Sequence, residues 1–500
     1  MNKGKVTVFR YNPEIDIQPR YETYEFPYKP SMTVLDVAMY IYEQIDGSFS
    51  FSYACSNSHC GLCGAKINGK PGLMCREMAT QEMVLEPLDN LTVIRDLMVD
   101  RDEYEKHKDS LRLNLDRVNL PLQEPEKIAL KDLRRFAVAS RCVECYSCIS
   151  VCPSLKENPH EYLGPAGFVQ LARHAFDPRD DLNREVIAYS GGLYNCTTCG
   201  RCTEVCPHDI APSENIELLR ARMVASGNMP RAVSQLIEMV EKTEKLIQKG
   251  KSSFIETTSM KKAKVGLFVG CNIDYDSRLQ SIAIAALKVL QKMGIEVAVP
   301  QEQVCCGQPL KEVGAVEEIQ KLVLKNVKAF EQAGCTTLIT ICSGCGVGAK
   351  KLWPGIYKEA TGKDLPFEVM DFTEYVATLP FTDFVKPLNL KVAYHDPCTL
   401  KRGQGIYEEP RKILKSITKL NENAEDACCG GGGGLRVSNL KLSQRILKNR
   451  VNSFRNMDVQ AIVTGCPTCI KQLNIGLAQN GMRKVEVLHT AVVMARAMGV

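Results

Sequence analysis

Hydrophobic and polar positions divide the chain into stretches of different texture. Over residues 3–97, strand-like runs (Lys5–Tyr11, Tyr21–Phe26, Met83–Ile94) surround one helical pattern, Val34–Gln44. A charged stretch, Asp100–Glu126, leads into helical patterns with two cysteine-dense loops, ending near Lys251. From Lys264 the texture changes. Apolar runs (Val265–Val269, Thr337–Ile341) alternate with amphipathic helical patterns (Leu279–Met293, Val316–Gln332), the order of α/β units. The order recurs as Val392–His395, Leu440–Phe454, Ala461–Thr464 and Ile470–Gln479. Each copy carries a lone cysteine, a Cys-Cys-Gly triplet and then Cys-x2-Cys, so an internal duplication of about 120 residues is the economical account.

With 500 residues, 45% of them apolar and 24% charged, the chain has the length of several ordinary globular domains. A net charge of +5 with no long basic run argues against a nucleic-acid partner. The N-terminus, MNKGKVTVFRYNPEID, lacks an apolar secretory region, and no apolar stretch approaches the ~18–20 residues of a membrane span. A cytoplasmic protein with no membrane partner is therefore expected. In a reducing cytosol, 23 cysteines point to metal ligands rather than disulfides. Twenty-two of them fall into five sets.

Cys55, Cys60, Cys63 and Cys75 have the C-x4-C-x2-C…C spacing of a plant-type [2Fe–2S] site. Gly61 and Gly64 let the backbone approach the sulfurs and donate N–H groups to them. A zinc knuckle is the alternative, but zinc sites usually pair two Cys-x2-Cys elements. Two copies of C-x2-C-x2-C-x3-C-P follow, Cys142-Cys145-Cys148-Cys152-Pro153 and Cys196-Cys199-Cys202-Cys206-Pro207. In this ferredoxin run the fourth cysteine of each copy serves the other cluster. One [4Fe–4S] set is then Cys142, Cys145, Cys148 and Cys206, and the other is Cys152, Cys196, Cys199 and Cys202.

Arg10-Tyr11-Asn12-Pro13, the Ser52-Tyr53-Ala54-Cys55 approach and Asn68-Gly69-Lys70 before Cys75 resemble the iron–sulfur subunits of succinate dehydrogenases and fumarate reductases, over about residues 5–225. In many members of that family the second cysteine of the second run is replaced and the cluster is [3Fe–4S]. Cys199 occupies that position here, so a [4Fe–4S] cluster is expected, without the family's usual membrane-quinone partner.

The first Cys-Cys-Gly module is Cys271, Cys305-Cys306-Gly307 and Cys342-x2-Cys345; the second is Cys398, Cys428-Cys429-Gly430 and Cys466-x2-Cys469. Adjacent cysteines diverge from one backbone, and five thiolates exceed what a cubane requires, which suggests a distorted cluster with a bridging cysteine. A zinc site or a structural remnant is the alternative. The spacings differ once, with 29 residues between Cys398 and Cys428 against 33 between Cys271 and Cys305. These modules, over residues 262–500, resemble the catalytic subunit of heterodisulfide reductases, which implies two noncubane [4Fe–4S] clusters. Related modules occur in lactate, glycolate and glycerol-3-phosphate oxidising complexes.

Gly430–Gly434 is either a linker or a place of close backbone approach. No G-x-G-x-x-G or Walker-type loop is present. His395, in His-Asp-Pro-Cys398, reads first as a satisfied buried histidine and second as a ligand or proton carrier. Lys401, Arg402, Arg411 and Arg436 lie near cluster loops as candidates to hold anionic groups or as solvated charge. Cys335 belongs to no set and reads as a core thiol.

The joined halves resemble the iron–sulfur subunits of thiol-driven fumarate reductases of methanogenic archaea. The resemblance implies a multidomain α+β and α/β chain. A β-grasp [2Fe–2S] ferredoxin domain (1–98) would precede an α-helical two-cluster ferredoxin domain (99–250) and duplicated α/β Cys-Cys-Gly domains (262–388 and 389–500). It implies oxidation of coenzyme M and coenzyme B thiols at the module cysteines, with electrons passing to the FAD-containing flavoprotein subunit of the fumarate reductase. The rivals are a subunit of a 2-hydroxy acid or glycerol-3-phosphate oxidising complex and a soluble electron carrier.

Overall fold

The computed structural model describes residues 2–117, 127–247, 253–258, 262–422 and 426–500; part of the charged stretch, 118–126, lies outside them. The chain forms two compact units, one of residues 1–193 and 200–219, the other of residues 194–199 and 220–500.

The first unit opens with β1 (Lys3–Arg10), β2 (Arg20–Pro27), β3 (Gly64–Ile67), β4 (Lys70–Leu73) and β5 (Glu82–Glu86), in the sheet order β2-β1-β5-β3-β4. β1 and β5 run parallel, and the other pairs are antiparallel. The helix Val34–Gln44 starts at a capping box of Thr33 and Asp36 and buries Val34, Leu35, Val37, Ala38 and Ile41 in one core with Val6, Val8 and Leu85. Each buried Val, Leu and Ile side chain contributes about 1.5–3 kcal/mol. The run Met83–Ile94 is not one strand. It breaks after Glu86 at Pro87 and at Asn90, whose φ is +63°, and resumes as β6 (Val93–Arg95), paired with β7 (Met98–Val99). The regular structure described in the remainder of this unit is helical, including Asp102–Ser110, Leu130–Ala139 and Gly164–Ala175.

The second unit holds two parallel sheets. The first contains β8 (Val265–Phe268), β9 (Val297–Ala298), β10 (Thr337–Thr340) and β11 (Glu368–Asp371), in the order β11-β10-β8-β9. The second contains β12 (Lys391–Tyr394), β13 (Lys419–Asn421), β14 (Ala461–Thr464) and β15 (Glu486–His489), in the order β13-β12-β14-β15. Numbered within each copy, both orders are 2-1-3-4, so the duplication extends from cysteine spacing to topology. The central strands β8, β10, β12 and β14 are near-continuous buried runs because helices cover both faces of a parallel sheet. In each sheet the connections leave strands 1 and 3 in opposite directions, which opens a crevice beyond their carboxyl ends. Among the described residues no helix is long and apolar enough to cross a membrane.

Candidate functional site

In the first unit, residues 55–63 form a loop whose amides point at sulfur. Asn57, His59 and Cys60 donate their N–H groups to Cys55 Sγ at 3.4, 3.3 and 3.3 Å, and Ser58 donates to Cys75 Sγ at 3.2 Å. These donors, Asn57 first, hold the Cys55 thiol down at about 7. Gly61 has φ +70°, and a Cβ there would strike the Val143 carbonyl. Arg101 bridges the same two loops, donating to Gly61 O at 3.3 Å and to Glu144 O at 2.6 Å. A thiol-only donor set cradled by N–H groups fits an iron–sulfur cluster.

Cys142, Cys145, Cys148 and Cys206 line one small cavity, closed by Tyr146, Val169 and Ile210. The short helices Ser147–Ser150 and Arg201–Glu204 pack together, which brings the two ferredoxin runs side by side. Cys145 also belongs to the apolar core that contains Cys63. Cys152, Cys196, Cys199 and Cys202 are all buried; the first and last belong to the first unit, and Cys196 and Cys199 to the second.

All ten module cysteines line a single cavity of about 360 Å³ in the second unit. Topology explains the convergence. Cys271 and Cys342 lie just beyond β8 and β10, and Cys398 and Cys466 just beyond β12 and β14, so each module presents these thiols at its own crevice. The adjacent pairs Cys305-Cys306 and Cys428-Cys429 come from the connections after β9 and β13. The thiols neighbour one another within each module, Cys271 beside Cys305 and Cys306 beside Cys345, then Cys428 beside Cys429 and Cys429 beside Cys469. The Cys429–Cys469 separation is 3.3 Å. None of the 23 cysteines forms a disulfide. Buried soft donors at this density fit iron–sulfur clusters. Cys335, outside every set, is buried beside β10.

The modules are also fastened to each other. Ser343 and Thr399 share a hydrogen bond at 2.8 Å, and Asn272 donates to Thr468 at 3.3 Å. Lys471, which sequence reasoning passed over, lines the cavity, donates to Asn272 Oδ1 at 2.5 Å and pairs with Asp276 at 3.1 Å. Its only signal in the sequence is its position two residues after Cys469.

Three of the four cations singled out from the sequence pair with carboxylates of the protein. Arg411 makes a two-pronged pair with Asp396 at 2.8 and 2.6 Å. Lys401 and Arg402 both bind Asp426, and Arg402 Nε donates to Cys199 O at 2.7 Å. Burial pushes the Asp426 carboxyl up, but Arg402 and Lys401 outweigh it and hold it at about 2. Arg436 lines the cavity and donates to the neutral Gln472 at 3.2 Å.

Gly430–Gly434 is a place of close approach, not a linker. A Cβ on Gly432 would lie 2.8 Å from Thr197 O, and one on Gly433, at φ +63°, would strike Cys196 O. The second ferredoxin loop therefore lies directly against the second module. Cys199 lies beside Cys428 and shares a core with it and with Leu435, Leu442 and Ile446. Gly433→Ala should destabilise the second unit by about 1–3 kcal/mol from backbone strain alone. Anaerobic denaturation followed by circular dichroism measures this, and an unchanged midpoint would contradict the packing.

Comparison with known proteins matches four stretches of the chain. Residues 5–106 match the 2Fe-2S iron-sulfur cluster binding domain, and 138–210 match the 4Fe-4S dicluster domain. Residues 265–348 and 392–474 each match the Cysteine-rich domain. The chain is 31% identical to the fumarate reductase iron-sulfur subunit of Haemophilus influenzae, over 42% of this chain and 89% of that one. It is 28% identical to the D subunit of the dihydromethanophenazine:CoB–CoM heterodisulfide reductase of Methanosarcina barkeri, over 67% of this chain and 88% of that one. Against the B subunit of the fumarate reductase (CoM/CoB) of Methanothermobacter marburgensis the identity is 37%, covering 97% of both chains. An iron–sulfur, electron-transferring oxidoreductase component, the chain belongs to the family of the fumarate reductase (CoM/CoB) B subunit.

Proposed function

We propose that this chain oxidises coenzyme M and coenzyme B thiols to their heterodisulfide and passes two electrons to an FAD-containing flavoprotein subunit, which reduces fumarate to succinate. The observation that carries this reading is the convergence of ten cysteines from two modules on one cavity. Joining two thiols as a disulfide releases two electrons and two protons, and fumarate takes up two of each. Iron–sulfur clusters, when bound, supply one-electron steps, so a two-electron oxidation divides naturally between two of them.

The protein's own part is placement. The two crevices face a shared space, so two thiols held there have their sulfurs in reach of one another. Leu236, Leu246, Ile247 and Val437 provide apolar wall, while Arg436 and Lys471 offer charge-assisted contacts to anionic groups. Cys199 beside Cys428 supports an exit from the second module toward the ferredoxin runs. Within the first unit the loops of Cys145 and Cys63 share one core, which supports transfer to the [2Fe–2S] site.

The anaerobic chain, carrying about 18 iron atoms in one [2Fe–2S] and four four-iron centres, should change its cluster spectra when both thiols are added. Iron near ten per chain, or spectra indifferent to both thiols, would overturn the proposal in favour of a simple electron carrier.

A further inference from the structure

The two modules are copies, yet two buried positions behind their thiols differ. Three residues before the lone cysteine, the first module has Phe268 and the second has His395. Sixteen residues before the Cys-x2-Cys pair, the first has Asn326 and the second Arg450. In the first module Asn326 serves the backbone: Oδ1 accepts from Val304 N–H at 2.8 Å, and Nδ2 donates to Cys305 O at 3.1 Å. Phe268 packs against Phe330 and Trp353. In the second module Arg450 Nε donates to His395 Nδ1 at 3.0 Å. An imidazole nitrogen of His395 and the sulfurs of Cys429 and Cys469 lie within 4.8 Å of one another. A guanidinium can only donate, so Nδ1 carries no proton and the ring's N–H is at Nε2.

We propose that His395, held in the Nε2–H tautomer by Arg450, donates a hydrogen bond to the cysteine sulfurs of the second module and makes its cluster the more readily reduced of the two. The inference rests on the reading that both modules hold clusters. An N–H directed at a ligand sulfur stabilises the more negative, reduced state and so raises the potential. A phenyl ring at the equivalent place in the first module offers no proton. The paired change matters: a histidine without Arg450 could turn either nitrogen toward the sulfurs, whereas the guanidinium fixes which one carries the proton. The more reducible module is also the one whose Cys428 contacts Cys199. The asymmetry thus draws electrons toward the exit.

The test is a redox titration of the whole complex followed by electron paramagnetic resonance, without thiols, so that it stands apart from any failure of thiol oxidation. In His395→Phe, which copies the first module, the oxidised-to-reduced ratio of one module centre at fixed potential should rise at least tenfold, 59 mV for a one-electron couple. The other centres and the iron content should not move. His395→Gln, which keeps an N–H, should recover at least half of the shift. An unmoved midpoint in His395→Phe overturns the proposal. If that variant loses iron, Arg450→Gln decides: a lowered midpoint supports the donor role, and an unmoved one overturns it. A nitrogen bound directly to iron in the wild-type hyperfine spectrum would make His395 a ligand, and the donor role would be wrong.

Discussion

Cys306→Ser or Cys429→Ser should lower thiol-dependent succinate formation about a thousandfold, ~4 kcal/mol of barrier. Each is the second cysteine of its Cys-Cys-Gly triplet and the link between two segments of its module. Cys306 joins Cys305 to Cys345, and Cys429 joins Cys428 to Cys469. Serine keeps the shape but exchanges a soft sulfur for a hard oxygen, which iron–sulfur chemistry tolerates poorly. Fumarate reduction driven by an artificial donor that reaches the flavoprotein directly should continue at the wild-type rate. Cys60→Ser should break the route at its other end, stopping thiol-to-fumarate transfer while the module centres still respond to thiol. Full thiol-dependent succinate formation in both module variants would mean that the cavity is not where thiols react.

Arg220→Ala should cost the second unit at least about 3 kcal/mol, because hydrogen bonds to a buried charged group contribute ~1.5–3 kcal/mol each. Arg220 is fully buried and donates to Glu312 O at 2.7 Å, Gly433 O at 2.9 Å and Cys196 O at 3.0 Å. Its guanidinium lies 5.0 Å from the Tyr194 ring centroid. One side chain thus ties both modules to the second ferredoxin loop. Alanine leaves three carbonyls without that donor, so iron loading of the cluster proposed for Cys196 and Cys199 should fall as well. Denaturation and iron analysis read the two effects separately. Normal stability with normal iron would show that the loop holds its position without this arginine.

Much of this arrangement is legible in the residues because thiol ligands cluster in short, fixed spacings. The helix Val34–Gln44 and the strand Ala461–Thr464 have the bounds that their patterns predict, since apolar periodicity and burial agree there. The hairpin of β3 and β4 goes unseen: four-residue strands are too short to show a period. The strand pairings that superpose the modules as 2-1-3-4 are long-range and leave no local trace. Arg411 and Arg402 look available in sequence because Asp396 and Asp426 lie 15 and 24 residues away from them. Lys471 goes unnoticed because nothing in a sequence announces which side of a helix faces a cavity. The pairing of His395 with Arg450 emerges only when each module is laid on its copy.

The passage of residues 194–199 into the second unit bears on how such a protein can be divided. A fragment starting at residue 262 would contain both modules but lack the six residues that cover Gly432 and Gly433, and it would lack Arg220 as well. Its polyglycine run would meet solvent, and Cys428 would lose a neighbour. The chain crosses between the units after residues 193, 199 and 219, so no single cut separates them cleanly. What looks in the sequence like a fusion of two older proteins is, in three dimensions, a graft whose junction has become part of the scion. Residues 194–199 therefore travel with the second unit, and a module pair taken from a relative would have to bring its own version of that stretch.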